Sequence, residues 1–259
     1  MSRAPEIHIF ADAQELAREA ADLFLRVGDR AIAECGRFLV ALSGGSTPKA
    51  LYSILASPEY APRLDWSKVQ FLFGDERNVP PSHVDSNFAM ADKVLFAPLR
   101  IPAAQIHRMR GEGQSETAAA QYEDSLRRLT AASGPWPKLD LVLLGMGQDG
   151  HTASLFPGTP SLHERTRWVV PSLSPQGTRS RLTLTLGVIN HATVILFLVT
   201  GANKATVVRS VVEPRPSDQI TYPAALVRPD TGRLLWYLDQ TAASELTLAR
   251  QKRDREGNT

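Results

Sequence analysis

The sequence contains a single cysteine, Cys35, and no stretch of about 18 consecutive apolar residues. One cysteine excludes an intramolecular disulfide, and the chain has no CxxC pair or Cys/His cluster with the spacing of a zinc cage. The missing apolar run argues against a transmembrane helix, and the N-terminus lacks the apolar core of a signal peptide. These absences predict a cytoplasmic protein that does not bind a membrane.

The chain also lacks an excess of charge of either sign. Its 29 Lys and Arg balance 27 Asp and Glu, and basic residues cluster only in a short C-terminal run, 250–255, so no nucleic-acid-binding surface is predicted. Hydrophobic residues make up 43% and charged residues 22%, which is ordinary for a soluble globular protein. Without a repeat or linker, we expect one domain over residues 1–259 and a small-molecule partner. The oligomeric state is open, with a monomer slightly favoured.

Short apolar runs alternate with segments of helical periodicity. Strands are predicted at 7–10, 37–42, 69–73, 139–144, 168–171, 181–186, 193–200 and 233–238. Helices are predicted at 12–34, from Pro48, from about 85, at 115–132, at 201–212 and after 241. This alternation predicts an α/β fold, an open, mostly parallel sheet with helices on both faces. The polar connection 172–180 is predicted to be a mobile flap.

The segment after the second predicted strand has the composition of a phosphate-binding turn. It consists of Ser43, Gly44, Gly45, Ser46 and Thr47, and Pro48 then opens a helix at its preferred first position. Backbone N–H groups, hydroxyls and the positive end of a helix suit a phosphate. The segment is neither a Walker A loop nor a GxSxG elbow, so Ser46 is a poor nucleophile. An ordinary strand-to-helix turn is the alternative.

The apolar run 139–144 ends in a glycine-rich segment that carries Asp149 and His151. In an open α/β sheet, ligands bind beyond the carboxyl ends of the strands. Gly147 and Gly150 allow a tight turn in which the carboxylate holds one imidazole nitrogen while the other faces a ligand. This arrangement would make His151 an oriented general base. The alternative is that Asp149 is a turn residue and His151 a structural histidine.

Two other strand ends carry ionisable residues. Asp75, Glu76 and Arg77 follow the strand 69–73, and Asn87, at the start of the next helix, could point back toward them. A solvated rim is the alternative interpretation. Lys204 lies at a helix N-terminus, where a cation opposes the helix dipole. An anion bound beside it would account for that position.

Three blocks together resemble the 6-phosphogluconolactonases. They are ALSGGSTP at 41–48, GDERNVPPSHVDSN at 74–87 and GMGQDGHTASLFPG at 145–158, and the later RLTLT and GANKA extend the similarity. The resemblance implies a Rossmann-like fold that is shared with glucosamine-6-phosphate deaminases. It also implies hydrolysis of 6-phospho-D-glucono-1,5-lactone to 6-phosphogluconate in the oxidative pentose phosphate pathway, without a metal or organic cofactor.

The same resemblance implies residue roles. His151 would be the general base and Asp149 would hold its tautomer. Residues 43–47 would bind the phosphate with Lys204 and Arg181. Arg77 would lie near the phosphate or the reacting end, and Asp75 would orient Arg77 or a sugar hydroxyl.

Two other functions are weighed against this one. An amino-sugar phosphate deaminase would carry a DEY-type block and HIAFNEPG, where this chain has GDER and HTASLFPG. A catalytically silent phosphosugar-binding regulator of the same fold would not need an oriented base. The intact pair Asp149 and His151 argues against it.

Overall fold

The computed structural model describes residues 4–131, 134–215 and 222–247. Its strands are β1 Glu6–Phe10, β2 Phe38–Leu42, β3 Val69–Phe73, β4 Asp75–Arg77, β5 Leu141–Leu144, β6 Val169–Leu173, β7 Ser180–Leu184, β8 Val194–Val199 and β9 Arg233–Asp239. Its α-helices are α1 Ala13–Cys35, α2 Ser46–Leu55, α3 Asn87–Ala91, α4 Ala97–Leu99, α5 Ser115–Thr130, α6 Leu186–Asn190 and α7 Ala205–Val212. A π-helical turn, Asp92–Phe96, joins α3 to α4.

Six strands form one parallel sheet in the order β1-β9-β8-β5-β2-β3. Every residue of β2, β5 and β8 is buried. Continuous aliphatic runs of this kind are typical of strands covered on both faces by helices. The predicted α/β class with a mostly parallel sheet and helices on both faces is therefore confirmed.

The remaining strands form a separate antiparallel sheet in the order β4-β7-β6, which the sequence did not predict. Gly74 joins the two sheets. Its N–H donates to the Leu42 carbonyl of the parallel sheet at 2.8 Å, and its carbonyl accepts from the Leu184 N–H of the antiparallel sheet at 2.8 Å. Residues 75–77, predicted as a charged loop, therefore continue directly from β3 as an edge strand of the second sheet.

Several predicted boundaries were wrong. The helix after β2 begins at Ser46, so Pro48 is its third residue; a proline fits there because N–H groups of the first turn have no intrahelical acceptor. The strand predicted at 181–186 ends at Leu184, and Leu186 begins α6. The predicted flap 172–180 is largely the β6–β7 hairpin, in which β6 extends to Leu173 and β7 begins at Ser180.

The helix predicted after 241 is replaced at its start by turns, with Ala242, Ala243 and Leu246 packed in the core. The rest of that predicted helix, and the basic run 250–255, lie outside the described residues.

Candidate active site

A cleft of about 540 Å³ opens at the carboxyl ends of β2, β5 and β8, beside β4 and β7. Eleven of the twelve residues predicted for the site line it: Ser43, Gly44, Gly45, Ser46, Thr47, Asp75, Arg77, Asn87, His151, Arg181 and Lys204. The twelfth, Asp149, does not line the cleft and hydrogen-bonds His151 instead. The fold thus brings together residues that are more than 150 positions apart in the chain.

His151 and Asp149 form a closely coupled pair. Asp149 Oδ1 lies 2.6 Å from His151 Nδ1 and also accepts the His151 backbone N–H at 3.2 Å. The carboxylate thereby favours the tautomer with the proton on Nδ1, which makes Nε2 the acceptor. Within the described residues Nε2 has no hydrogen-bond partner. Burial raises the pKa of the Asp149 carboxyl, but the charge and hydrogen bonds of His151 outweigh burial and hold that pKa below its usual value.

Two glycines make this pairing sterically possible. A Cβ on Gly147 would lie 2.1 Å from His151 Nδ1 and 2.5 Å from Asp149 Oδ1, so no side chain fits there. Gly150 has φ +72° and packs against Tyr222, where a Cβ would be 2.3 Å from the ring. The Gly147 N–H donates to the His151 carbonyl at 2.9 Å and closes the turn. The glycines therefore set the orientation of the imidazole.

The turn between β2 and α2 lines the cleft, and within the described part of the chain the N–H groups of residues 44–47 have no hydrogen-bond acceptor. Gly45, at the N-cap of α2, has φ +107° and offers no side chain to cap the helix. The Tyr52 hydroxyl fixes the turn, since it accepts the Ser43 N–H at 3.0 Å and donates to the Ser43 carbonyl at 2.8 Å. The Thr47 hydroxyl lies 2.9 Å from that of Thr200, at the end of β8. A rigid helix N-terminus without a cap is suited to bind an anion.

Glu76 is a buried residue that was not predicted to belong to the site. Its carboxylate accepts the Asn87 N–H at 2.7 Å, the Phe88 N–H at 2.9 Å and the Ser86 hydroxyl at 3.0 Å. Burial raises the pKa of Glu76, while these backbone donors oppose that rise. The carboxylate caps α3 and fixes the position of Asn87. Because Glu76 follows a strand among other charged residues, no local pattern indicated that it would be buried.

Asn87 and Asp75 are hydrogen-bonded to each other behind the turn 43–47. Asn87 Nδ2 donates to the Asp75 carbonyl at 2.9 Å and to Asp75 Oδ1 at 3.2 Å. The Ser154 hydroxyl donates to Asp75 Oδ2 at 2.7 Å. A Cβ on Gly44 would lie 1.9 Å from Asn87 Oδ1, so glycine is required where the turn contacts Asn87. No hydrogen bond or ion pair joins Asp75 to Arg77 in the described residues, which removes the direct contact expected for that pair.

Three cations face the cleft: Arg77 on β4, Arg181 on β7 and Lys204 before α7. Burial lowers the pKa of Lys204, with the charge of Asp149 acting against it. Burial and the charge of Arg77 lower the pKa of Arg181. In the described parts of the chain none of the three makes an ion pair with a carboxylate. The arrangement therefore favours an anionic ligand.

The cleft also contains residues that sequence reasoning missed. They include Met146, Ser154 and Phe156 after β5, Ser174, Gln176 and Gly177 in the β6–β7 turn, and Thr200 after β8. The Phe156 ring packs 4.6 Å from the His151 ring, centroid to centroid. Ser154 and Phe156 belong to the same sequence block as His151, so position in that block was an available signal. The residues of the β6–β7 turn had no such signal, because the segment 172–180 was predicted only as a polar, mobile flap.

Among the described residues, no three His, Cys, Asp or Glu side chains are grouped to hold a metal ion. No helix in the same residues has the length and apolarity needed to cross a membrane.

Comparison with known proteins identifies the family. The family model of the glucosamine-6-phosphate isomerases/6-phosphogluconolactonase matches residues 11–236. The chain belongs to this family. The resemblance carried by the three sequence blocks is thereby confirmed.

Within this family, the chain is similar to 6-phosphogluconolactonases. A 6-phosphogluconolactonase of Nostoc sp. is 41% identical over 244 residues, which cover 93% of this chain and 98% of the relative. The solved 6-phosphogluconolactonase from Trypanosoma cruzi is 30% identical with a TM-score of 0.85, covering 95% of this chain and 98% of that one. A monomeric glucosamine-6-phosphate deaminase, at 22% identity with a TM-score of 0.76 and coverage of 92% and 99%, shares the fold. The chain is therefore an enzyme of this family and belongs to its 6-phosphogluconolactonases, as predicted.

Proposed function

We propose that the chain hydrolyses 6-phospho-D-glucono-1,5-lactone to 6-phosphogluconate, in the oxidative pentose phosphate pathway, and that His151 activates the attacking water. The observation that carries the proposal is the 2.6 Å contact between Asp149 Oδ1 and His151 Nδ1 at the wall of a cation-lined cleft. A base for water and three cations for a phosphate are the two features that hydrolysis of a phosphorylated lactone requires. The names of the relatives support the substrate.

The hydrolysis needs one proton acceptor that later serves as a donor. His151 Nε2 takes a proton from water as the water oxygen bonds to the lactone carbonyl carbon, and Asp149 stabilises the resulting imidazolium. The tetrahedral intermediate then collapses, the bond from that carbon to the ring oxygen breaks, and Nε2 returns the proton to the ring oxygen. The new carboxylic acid ionises in water. No covalent enzyme intermediate and no metal or organic cofactor take part.

The phosphate would occupy the other end of the cleft. Residues 43–47 offer backbone N–H groups and hydroxyls, while Lys204 and Arg181 offer charge-assisted donors from two other elements. Arg77 lies opposite Arg181 in the antiparallel ladder and would contact either the phosphate or the reacting carbonyl. Asp75 and Asn87, hydrogen-bonded to each other, would support this wall of the cleft.

Turnover of the wild-type enzyme tests the substrate. Freshly generated 6-phosphogluconolactone should open well above its spontaneous rate, measured as appearance of 6-phosphogluconate. Tight binding of 6-phosphogluconate without acceleration would favour the silent regulator. Ammonia release from glucosamine 6-phosphate at a comparable rate would favour the deaminase.

Replacement of His151 tests the mechanism. His151→Ala should lower the rate above background by about 10²- to 10⁴-fold, the usual cost of losing a general base. His163→Ala, at an exposed histidine on the Pro160–His163 helical turn, is the matched control and should leave turnover unchanged. The thermal unfolding midpoints of the wild type and the two variants should be similar. Near-wild-type turnover in His151→Ala would end the general-base assignment.

A further inference from the structure

The two arginines of the antiparallel sheet face each other at close range. Arg77 on β4 and Arg181 on β7 are directly paired in the ladder, so their side chains leave the same face of the sheet. Like charges directly opposite each other repel, and the charge of Arg77 contributes to the lowered pKa of Arg181. Something must therefore hold both guanidinium groups in the cleft.

Each guanidinium donates to one backbone carbonyl outside the ladder. Arg77 Nη1 donates to the Asp85 carbonyl, and Arg181 Nε donates to the Thr178 carbonyl at 2.6 Å. These are the only protein acceptors for the two side chains within the described residues, and Arg77 Nε is buried without a partner. The position of each arginine thus depends on one loop residue, the exposed Asp85 for Arg77 and the half-buried Thr178 for Arg181.

Those two loop residues are bonded to each other. The Thr178 hydroxyl donates to Asp85 Oδ2 at 2.7 Å, which joins the β6–β7 turn to the segment that precedes α3. The Thr178 hydroxyl, together with the nearby charges of His83, Arg77 and Arg181, holds the pKa of the Asp85 carboxyl below its usual value against the opposing effect of burial. The carboxylate therefore stays ionised near neutral pH. Asp85 and Thr178 close a chain of contacts that runs from Arg77 to Arg181.

We propose that Asp85 and Thr178 are positioning residues that orient Arg77 and Arg181 toward the phosphate end of the substrate. The inference rests on the proposed function, in which these arginines bind a phosphorylated lactone. Guanidinium binds phosphate in a planar, two-pronged geometry, so the orientation of the group contributes to affinity in addition to its charge. With the carbonyl acceptors fixed by the Asp85–Thr178 bond, the remaining N–H donors are directed to the ligand before it binds.

Thr178→Val removes the hydroxyl at almost constant volume. It should raise KM for the phosphorylated lactone by about two- to tenfold, the value of one net hydrogen bond, and leave kcat within about twofold. Thr178→Ser should restore wild-type KM because it restores the donor. Any turnover of unphosphorylated glucono-1,5-lactone should be the same in all three proteins, which a general structural defect would not allow.

Thr247→Val is the matched control, because the Thr247 hydroxyl donates to the Glu213 carboxylate at 2.8 Å in an equally exposed contact that does not line the cleft. It should leave KM unchanged. Asp85→Ala gives a second measurement and should reproduce the effect of Thr178→Val without adding to it in the double variant, since both remove the same bond. Wild-type turnover with unchanged KM in Thr178→Val and Asp85→Ala would overturn the inference. Absence of wild-type turnover would instead overturn the proposed function.

Discussion

The two sheets contribute to the cleft in different ways. The parallel sheet contributes the segments that follow its buried strands: residues 43–47 after β2, 145–151 after β5 and 200–204 after β8. The antiparallel sheet contributes long side chains that leave the strands themselves, Arg77 from β4 and Arg181 from β7. The backbone N–H groups and His151 thus come from one sheet, and two of the three cations come from the other.

Because of this difference, the two regions are held in a single conformation by different means. A loop anchored on a fully buried strand has little freedom, so small residues such as Gly147 and Gly44 are enough to define its shape. A half-buried arginine at the end of a strand has several rotatable bonds and loses much conformational freedom when it is fixed. Such a side chain needs separate hydrogen bonds, like those that Arg77 and Arg181 donate to the Asp85 and Thr178 carbonyls.

The largest effect in these comparisons should come from distorting a loop of the parallel sheet. Gly147→Ala forces His151 or Asp149 to move, because the new Cβ would lie 2.1 Å from Nδ1 of the histidine. A displacement of this size should lower kcat about 10²-fold. Gly113→Ala, where the added Cβ has no neighbour within 4 Å, should keep full turnover. Equal activity of the Gly147→Ala and Gly113→Ala variants would mean that turnover does not depend on the present geometry of Asp149 and His151.

Loss of a cation from either region should weaken phosphate binding alone. Lys204→Ala and Arg181→Ala should each weaken binding of 6-phosphogluconate by about ten- to a hundredfold, since a charge-assisted hydrogen bond contributes roughly 1.5 to 3 kcal/mol. Lys68→Ala, at an exposed lysine outside the cleft, is the control for a change of net charge. Titration calorimetry gives the affinities. An equal loss with unphosphorylated gluconolactone would make Lys204 structural.

Alkaline pH should distinguish the lysine from the arginine. Burial lowers the pKa of Lys204, and only the protonated amine binds phosphate, so its contribution is present at neutral pH and lost as pH rises through that lowered pKa. Affinity for 6-phosphogluconate should therefore fall as the pH is raised above 7, by up to about tenfold once the amine is deprotonated, because loss of the charge approaches loss of the bond. Lys204→Arg should keep its affinity over this range, since guanidinium remains protonated. An identical decline in both proteins would assign the effect to another group.

A metal chelator should have the smallest effect. The described parts of both sheets lack a cluster of three metal-ligating side chains, so prolonged dialysis against EDTA should leave turnover unchanged. Loss of activity that one divalent ion restores would contradict this expectation.

Much of the parallel sheet could be predicted from local sequence. The β3 bounds, Val69–Phe73, match the prediction, and the other strands of this sheet differ from it by at most two residues at either end. Buried strands between helices have continuous apolar runs, which end sharply at glycines and polar residues. For the same reason the segments 43–47 and 145–151 are recognisable as parts of a site from their residues alone.

The antiparallel sheet could not be predicted in the same way. Its strand β4 is only three residues long and fully charged, and nothing in DER alone indicates an edge strand. Its pairing with β7 joins residues about 100 positions apart, and Glu76 is buried only because α3 returns across it. Long-range pairing of short strands is decided by neighbours that local periodicity does not contain.

The sequence by itself determined the fold class, the family and the residue types of the cleft, because these depend on local patterns and on motifs that keep their spacing. The tertiary structure alone decided that Glu76 is buried and caps α3. It also decided that Arg77 pairs with Arg181 across the antiparallel ladder, and that Asp85 and Thr178 are hydrogen-bonded to each other beside them. These outcomes depend on the relative positions of separate elements, which packing against a shared core fixes only when the whole chain has folded.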